Sequence, residues 1–475
     1  MSLEDRLYPL LPLYERLPQG LKSAAGLCYR SLPRSWRYGV RYAEFQALTE
    51  AGEQWSLEEI REYQFRQLRA VLLQAASHSR FYQQRFAEAA FRPEEMRSLA
   101  DFQQCPFLEK KDVQDHADEM VSNGLPAKLR LYMTTGGSTG VPVGFYLQKG
   151  VSRPKEQAFL EAMWHRRGWR PGARMAVIRG HVVNAGSEGR IASYDATRNW
   201  LLMSSSHLTR DRLPDYLEAL ETFKPDLLHI YPSAALQIAE FLETSGQTWR
   251  LPLVALLCGS ERLTTPQKRL LQSVFGCPVY RWYGHSERVV LAGEGRTSEL
   301  LYFWPQYGLV EFGPPDEDGL CEIIGTSFHN HVMPLIRYRT GDYARLADPR
   351  TDGDLEFPWP AVSDVAGREH ECLVSGTGRR ISLTALNMHD AIFDELYAVQ
   401  FFQPAPGLVE FRYIPRPGFH SSRLEPIEAG LRRKLGEDFR IEFRAVREVE
   451  KTPRGKHRWL ASPERFVQES TDNRA

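Results

Sequence analysis

The stretch TTGGSTG, Thr134–Gly140, sets four hydroxyl side chains among three glycines, between flanks of β-leaning apolar residues. Three chemistries suit such a loop. Gly136-Gly137-Ser138-Thr139-Gly140 fits the G-x-S-x-G pattern of a hydrolase elbow, where Ser138 would be a nucleophile between a strand and a helix. The next residues, VPVGFYLQ, alternate Val143, Phe145 and Leu147 and predict a strand, so the nucleophile is disfavoured. A Walker loop would carry Lys-Ser/Thr after its last glycine, whereas Gly140 is succeeded by Val141 and Pro142. The physics of a phosphate cradle is nonetheless present. Glycines let successive backbone N–H groups turn toward an anion, and Thr134, Thr135, Ser138 and Thr139 add hydroxyl donors. On these residues alone, the cradle and a plain glycine-rich hairpin stand equal.

The elements that must position this loop can be read from periodicity. From Ser56, SLEEIREYQFRQLRAVLLQAASHSRF predicts a long helix, opened by a Ser56/Glu59 capping box and buried through Ile60, Leu68, Val71, Leu72 and Ala75. Residues 1–105 therefore read as helical, and QQCPFLEKKD reads as a linker into the loop. Between 173 and 282, short apolar runs (MAVI, DLLHIY, LVALLC, PVYRWY) alternate with amphipathic helical stretches. That alternation predicts βαβ units and a parallel sheet covered on both faces. Ligands of such sheets sit beyond the carboxyl ends of the strands. Two strands here end in polar, glycine-bearing turns, CGSE (258–261) and YGHSE (283–287), which should share one crevice. Residues 300–365 read as shorter β segments. Beyond them, a helix near 384–397, strands VQFF and VEFRYI, a helix with Ile427, Leu431 and Leu435, and the strand RIEFRAV predict a smaller α+β unit.

Composition bounds the function classes. A chain of 475 residues, 42% hydrophobic, holds at least two packed domains. Sixty basic residues balance sixty acidic ones, so no global charge points to nucleic acid. Six scattered cysteines without zinc spacing predict unpaired thiols in a reducing cytoplasm. No apolar run is long enough for a membrane span. Residues 1–41 carry seven Arg/Lys against three Asp/Glu among Leu and Tyr, as a peripheral membrane-surface segment would. A basic segment packed on its own protein is the favoured alternative.

On its motifs the sequence resembles the adenylate-forming superfamily of acyl-CoA ligases, peptide-synthetase adenylation domains and luciferases. Within it, the likeness is greatest to phenylacetate–CoA ligase-like proteins, including ligases of capsular polysaccharide biosynthesis. TTGGSTGVP looks like the family's phosphate loop (Thr135, Gly136, Gly137, Ser138, Thr139, Gly140), and Gly259-Ser260-Glu261 like the segment beside the adenine. Tyr283-Gly284-His285-Ser286-Glu287 is similar to the aromatic-Gly-x-Thr-Glu motif. YRTGD (338–342), led in by Asn330 and Pro334–Arg337, matches the ribose-binding motif. GREHE (367–371) resembles the hinge, and KTPRGKHR (451–458) the carboxy-terminal lysine motif.

The resemblance implies roles for named residues. Tyr283 would stack on adenine, Asp342 would accept from the ribose hydroxyls, and Arg368 would assist there. Glu287 would hold Mg²⁺, and Lys456 would neutralise charge at the reacting carboxylate and α-phosphate together with Ser138 and Thr139. Each has an ordinary structural reading when taken alone; the ordered set favours a ligand site. Three departures stand out: Val143 where many relatives carry lysine, Ser286 for the usual threonine, and His370 at the hinge. Trp164, His165, His181 and Trp282 are candidates for an acid pocket. The implied architecture is α/β, with a large amino-terminal domain (1–105 helical, 106–366 the ATP- and acid-binding core). A hinge at 367–370 leads to a small mobile α+β domain at 371–475. The implied function is adenylation of a carboxylic acid with Mg-ATP, then acyl transfer to CoA or to an amine or hydroxyl. CoA is slightly favoured, and Arg379, Arg380, Arg432, Arg433 and Lys434 are its candidate phosphate ligands. A homodimer is among the expectations. A serine hydrolase and a non-catalytic binding protein are the rival classes.

Overall fold

The computed structural model describes residues 3, 7, 13–14, 16–134, 143–180, 191–263, 265–316, 319–366, 372–382, 396–415, 419–447, 449–450 and 460–461. The amino-terminal region is helical as expected: α1 (Gln19–Ser31), α2 (Arg34–Tyr38), α3 (Val40–Gly52), α4 (Leu57–His78) and α5 (Arg80–Glu88). In α4 the Ser56 side chain accepts from the Glu59 N–H, while the Ser56 N–H donates back to Glu59 Oε2 at 2.8 Å. Ile60, Leu68, Val71, Leu72 and Ala75 are all buried on one face. Helices α1 and α2 and the start of α3 divide the expectation for residues 1–41. One side packs on the protein: Arg37 is buried, Arg34 pairs with Glu161, and a side chain at Gly26 would collide with Ala196. The other side leaves Leu21 and Leu27 more than half exposed, Trp36 66% and Val40 72%. Among the described residues no helix is long and apolar enough to cross a membrane.

The stretch read as a linker is a built part of the core. Cys105 and Leu108 are buried, and Leu108 exchanges backbone hydrogen bonds with Arg337 and Arg339, each 3.0 Å. A helix not expected from the sequence, α6 (Lys110–Met120), comes directly after it. Its many charges hid the two apolar anchors, Val113 and Met120, that bury it. Next come β1 (Arg130–Thr134) and β2 (Gly144–Gln148), antiparallel with Thr134 opposite Gly144. Among the described residues, the segment after the glycine-rich loop is thus a strand, not the helix that a hydrolase elbow requires.

The expected alternation then appears: α7 (Ser152–His165), β3 (Met175–Arg179), β4 (Ala192–Asp195), β5 (Trp200–Ser204), α8 (Leu213–Phe223), β6 (Leu227–Ile230), α9 (Pro232–Ser245), β7 (Ala255–Gly259), α10 (Thr265–Phe275) and β8 (Val279–Gly284). Strands β5, β3, β6, β7 and β8 lie side by side and parallel. Their side chains alternate between two cores. Ala176, Ile178, Leu228, Ile230, Leu256 and Cys258 join α8, α9 and α10 on one face. Met175, Val177, Leu227, Ala255 and Leu257 meet Phe159 and Trp164 of α7 and Tyr42 and Phe45 of α3 on the other. Helices on both faces explain why these strands read as continuous apolar runs.

The sheet does not stop at β8. It continues through β9 (Leu291–Glu294), β10 (Leu301–Phe303), β11 (Gly308–Phe312), β12 (Cys321–Ser327), β13 (Tyr338–Leu346) and β14 (Ala361–Ala366). The twelve described strands run in the order β11-β12-β13-β14-β10-β9-β8-β7-β6-β3-β5-β4, and the half beyond β8 is antiparallel. Although three strands separate β13 from β8 in this order, Asp342 of YRTGD bonds Tyr283 at the end of β8.

The carboxy-terminal part forms a separate, smaller α+β unit. It contains β15 (Cys372–Val374), β16 (Arg380–Ser382), β17 (Leu396–Ala405), β18 (Leu408–Pro415), α11 (Leu424–Leu435), β19 (Arg440–Ala445) and β20 (Leu460–Ala461). The four-stranded sheet has the order β19-β18-β17-β20. Val399, Phe401, Val409, Phe411, Ile427, Leu431 and Leu435 are buried in it. The helix expected near 384–397 needs one correction: residues 396–397 belong to β17, and 383–395 lie outside the described residues.

Candidate functional site

Five parallel strands end at one edge, and two of them, β7 and β8, end in the turns singled out from sequence. At the end of β7, Ser260 adopts φ +73°, which turns the chain sharply out of the strand. Gly259 sits opposite Trp282 of β8, and a Cβ at Gly259 would come within 2.4 Å of the indole. Only a residue without a side chain lets that ring lie across the strand end. Glu261 accepts from the Ser233 N–H at 2.9 Å and hydroxyl at 3.1 Å. Its negative charge therefore sits at the amino end of α9, where the helix dipole stabilises it.

The next turn, Tyr283–Glu287, meets YRTGD. Tyr283 donates its hydroxyl to Asp342 Oδ2 at 2.8 Å, and Tyr338 donates to Glu287 Oε1 at 3.1 Å. His285 Nδ1 lies 3.1 Å from Glu287 Oε2. Two motifs more than fifty residues apart in sequence are thereby locked together. Burial alone would raise the Glu287 carboxyl, but the hydrogen bond and charge of His285, aided by Lys110, outweigh it and bring it down to about 2. Tyr283 is pushed well above the usual tyrosine range, first by burial and then by the Asp342 charge beside it. Asp342 is thus held as an oriented acceptor and Glu287 as an ionised hard-oxygen donor.

The rest of the YRTGD segment and its lead-in is scaffold. Thr340 donates to Ile323 O at 2.7 Å and accepts from the Asp342 N–H, which shapes the bend at Gly341. Arg337, at φ +48°, pairs with Glu311 at 2.8 Å and donates to the carbonyls of Gln103 and Cys105. Asn330 donates to the carbonyls of Tyr146 and Met333, both at 2.8 Å, and ties β2 to the same frame. Strand β2, which comes after the glycine-rich loop, is thereby tied to the segment that leads into β13. In the sequence Tyr338 is only one letter of a motif; nothing there marks it as the partner of Glu287.

No family model matches this chain. Over 344 residues it is 27% identical to the phenylacetate-coenzyme A ligase of Pseudomonas putida, covering 69% of this chain and 75% of that one. Over 372 residues it is 23% identical to protein CapK of Staphylococcus aureus, covering 76% and 80%. The chain is therefore similar to phenylacetate–CoA ligases and to CapK along most of its length. In fold it is similar to a 2-hydroxyisobutyryl-CoA ligase solved with 2-HIB-AMP and CoA, with TM-score 0.57, 18% identity, and coverage of 89% of this chain and 94% of that one. The same ligase in its postadenylation state aligns with TM-score 0.55.

Some of the remaining expectations need correction. Trp164 and Trp282 do come together, with ring centroids 6.3 Å apart and His229 at 5.4 Å and 5.3 Å from them. His165 does not join them: it is exposed and rests on Trp169 beside Arg170, because consecutive helical residues point about 100° apart. The expected basic cluster for CoA also loses a member. Arg379 is buried and committed to Asp438 and to the Leu435 carbonyl, and Arg432 pairs with Glu428 along α11. Among the described residues no three metal-ligating side chains cluster. A single ionised Glu287 fits a magnesium ion, which commonly takes its other ligands from phosphate and water. Thr135, Gly136, Gly137, Ser138, Thr139, Gly140, His181, Arg368, His370 and Lys456 lie outside the described residues.

Proposed function

We propose that this protein is an AMP-forming acid ligase. A carboxylate oxygen of the substrate acid attacks the α-phosphorus of ATP, pyrophosphate leaves, and a nucleophile then takes the acyl carbon while AMP departs. The reading is carried by one observation: the Tyr283–Asp342 and Tyr338–Glu287 bonds bring the YGHSE and YRTGD motifs to one place at the carboxyl ends of parallel strands. Asp342 would accept from the ribose hydroxyls, with Arg368 beside it, and Tyr283 would face the adenine next to Gly259, Ser260 and Glu261. Glu287 would hold magnesium, which supplies charge neutralisation at the phosphates. Thr135–Gly140 would cradle those phosphates, and Lys456 would stabilise the charge that builds up between carboxylate and α-phosphate. In this reading residues 106–366 form the nucleotide and acid core, 367–370 the hinge, and 371–475 the small domain that delivers Lys456.

CoA is the favoured acceptor, supported by the phenylacetate-coenzyme A ligases among the relatives. A second reading, implied by the resemblance to ligases of capsular polysaccharide biosynthesis, passes the acyl group to an amine or hydroxyl during surface polysaccharide assembly. A cytoplasmic protein with residues 1–41 resting on a membrane surface fits either, given exposed Leu21, Leu27, Trp36 and Val40. Mass spectrometry of reactions containing ATP, Mg²⁺, a panel of acids, and either CoA or amines tests the proposal. AMP and a thioester are expected. An amide or ester without thioester would replace the CoA reading, and no acyl-adenylate or AMP with any acid would refute the ligase.

A further inference from the structure

Half-buried or buried arginines near the sheet mostly face a carboxylate: Arg166 with Glu53, Arg281 with Glu294, Arg337 with Glu311, Arg262 with Asp364. Arg179 differs. It is the last residue of β3, half-buried, one strand end away from the Gly259–Glu261 turn. Its guanidinium donates to His229 Nε2 at 2.5 Å and to the Ser260 hydroxyl, and its carbon lies 4.5 Å above the ring of Tyr231. All three neighbours are neutral, since a ring nitrogen that accepts from arginine cannot carry a proton. No carboxylate of the described residues pairs with it, and three of its five N–H donors are left for something else. Aromatic rings wall the place: Tyr231 beneath, and Trp282 laid across Gly259 with His229 at 5.3 Å.

We infer that Arg179 selects an acid bearing a second carboxylate, remote from the one that is adenylated. This rests on the acid-ligase reading and names the substrate class of that site. A planar fork over an aromatic ring, fixed by two hydrogen bonds and without a paired carboxylate among the described residues, is preorganised for a bidentate carboxylate. The same unpaired charge disfavours an apolar acid, which would leave it desolvated without a partner. Repulsion and attraction therefore select in the same direction.

The test compares matched acids, glutarate with valerate and isophthalate with 3-methylbenzoate, in ATP–pyrophosphate exchange by wild type and by Arg179→Met and Arg179→Lys. ATP affinity of each variant, measured by calorimetry, reports integrity of the nucleotide site. Wild type is expected to prefer the diacid of each pair. Arg179→Met should lower kcat/KM for diacids about ten- to a hundredfold, hold or raise it for monoacids, and leave ATP binding unchanged. Arg179→Lys should recover part of the diacid activity. Wild-type preference for monoacids that survives in Arg179→Met would overturn the assignment while leaving the ligase intact. An equal loss for every acid, or a loss of ATP affinity, would also overturn it, by placing Arg179 at the reacting group or the nucleotide. Exchange with none of the acids would refute the ligase reading and this inference with it.

Discussion

Asp342→Ala separates binding from folding at the centre of the site. In the wild type, Asp342 Oδ2 accepts the Tyr283 hydroxyl at 2.8 Å, in a place where burial has pushed that hydroxyl far up its range. Removing the carboxylate has two consequences of different origin. ATP loses a charged acceptor for its ribose, a hydrogen bond of about 1.5–3 kcal/mol, so its dissociation constant should rise about ten- to 150-fold. The Tyr283 hydroxyl loses its charged partner in a buried setting, which costs about 1–3 kcal/mol of stability. Adding Tyr283→Phe to Asp342→Ala removes the orphaned hydroxyl. The double variant should therefore recover much of the lost stability and none of the lost ATP affinity. Titration calorimetry with ATP and urea unfolding of the wild type, the two single variants and the double variant give both quantities, and the acid KM should stay within about threefold throughout. Unchanged ATP affinity in Asp342→Ala would refute the ribose role, and ATP affinity restored by Tyr283→Phe would show that the tyrosine, not the nucleotide, needed the carboxylate.

Three further outcomes are expected. Ser138→Thr should keep substantial exchange activity, because a hydroxyl donor remains while a nucleophilic serine rarely tolerates that change; covalent labelling of Ser138 by a fluorophosphonate with loss of activity would contradict it. Glu287, depressed from 4.5 to about 2 in the folded protein, contributes stability that is fully present above about pH 4.5 and is lost as pH falls toward 2. The difference in urea midpoint between wild type and Glu287→Gln should accordingly be larger at pH 7 than at pH 3, and a difference that grows on acidification would reverse the sign of the argument. Leu21→Gln with Trp36→Gln should reduce co-sedimentation with anionic vesicles relative to wild type, and wild type should be released by salt; wild type that ignores anionic and neutral vesicles alike would remove the membrane-surface reading.

The parallel half of the sheet was legible because its strands are buried on both faces, so their apolar runs stand out between amphipathic helices. The antiparallel half, β9 to β14, carries shorter mixed segments. Strand β13 is not a sheet neighbour of β8, and only the Tyr283–Asp342 hydrogen bond shows that YRTGD returns to the end of β8. Residue types in the motifs were readable, and partners were not. Glu261 looked like a nucleotide neighbour, yet it also caps α9 across 28 residues, while Tyr283 reaches Asp342 across 59. Arg179 left no trace at all, since a single arginine at a strand end acquires meaning only when its neighbours prove neutral. His165 misled because adjacency to Trp164 in sequence is separation around a helix.

Acid-dependent ATP–pyrophosphate exchange reads out acid activation by a lysine delivered to a nucleotide site. Wild type and Lys456→Ala should be assayed side by side over the acid panel, with circular dichroism to establish equal folding. Exchange in wild type that requires both acid and Mg²⁺, reduced about a hundredfold or more in Lys456→Ala, is the expected result. Exchange by Lys456→Ala within a few-fold of wild type, or wild-type turnover of ATP indifferent to every acid, would contradict the account.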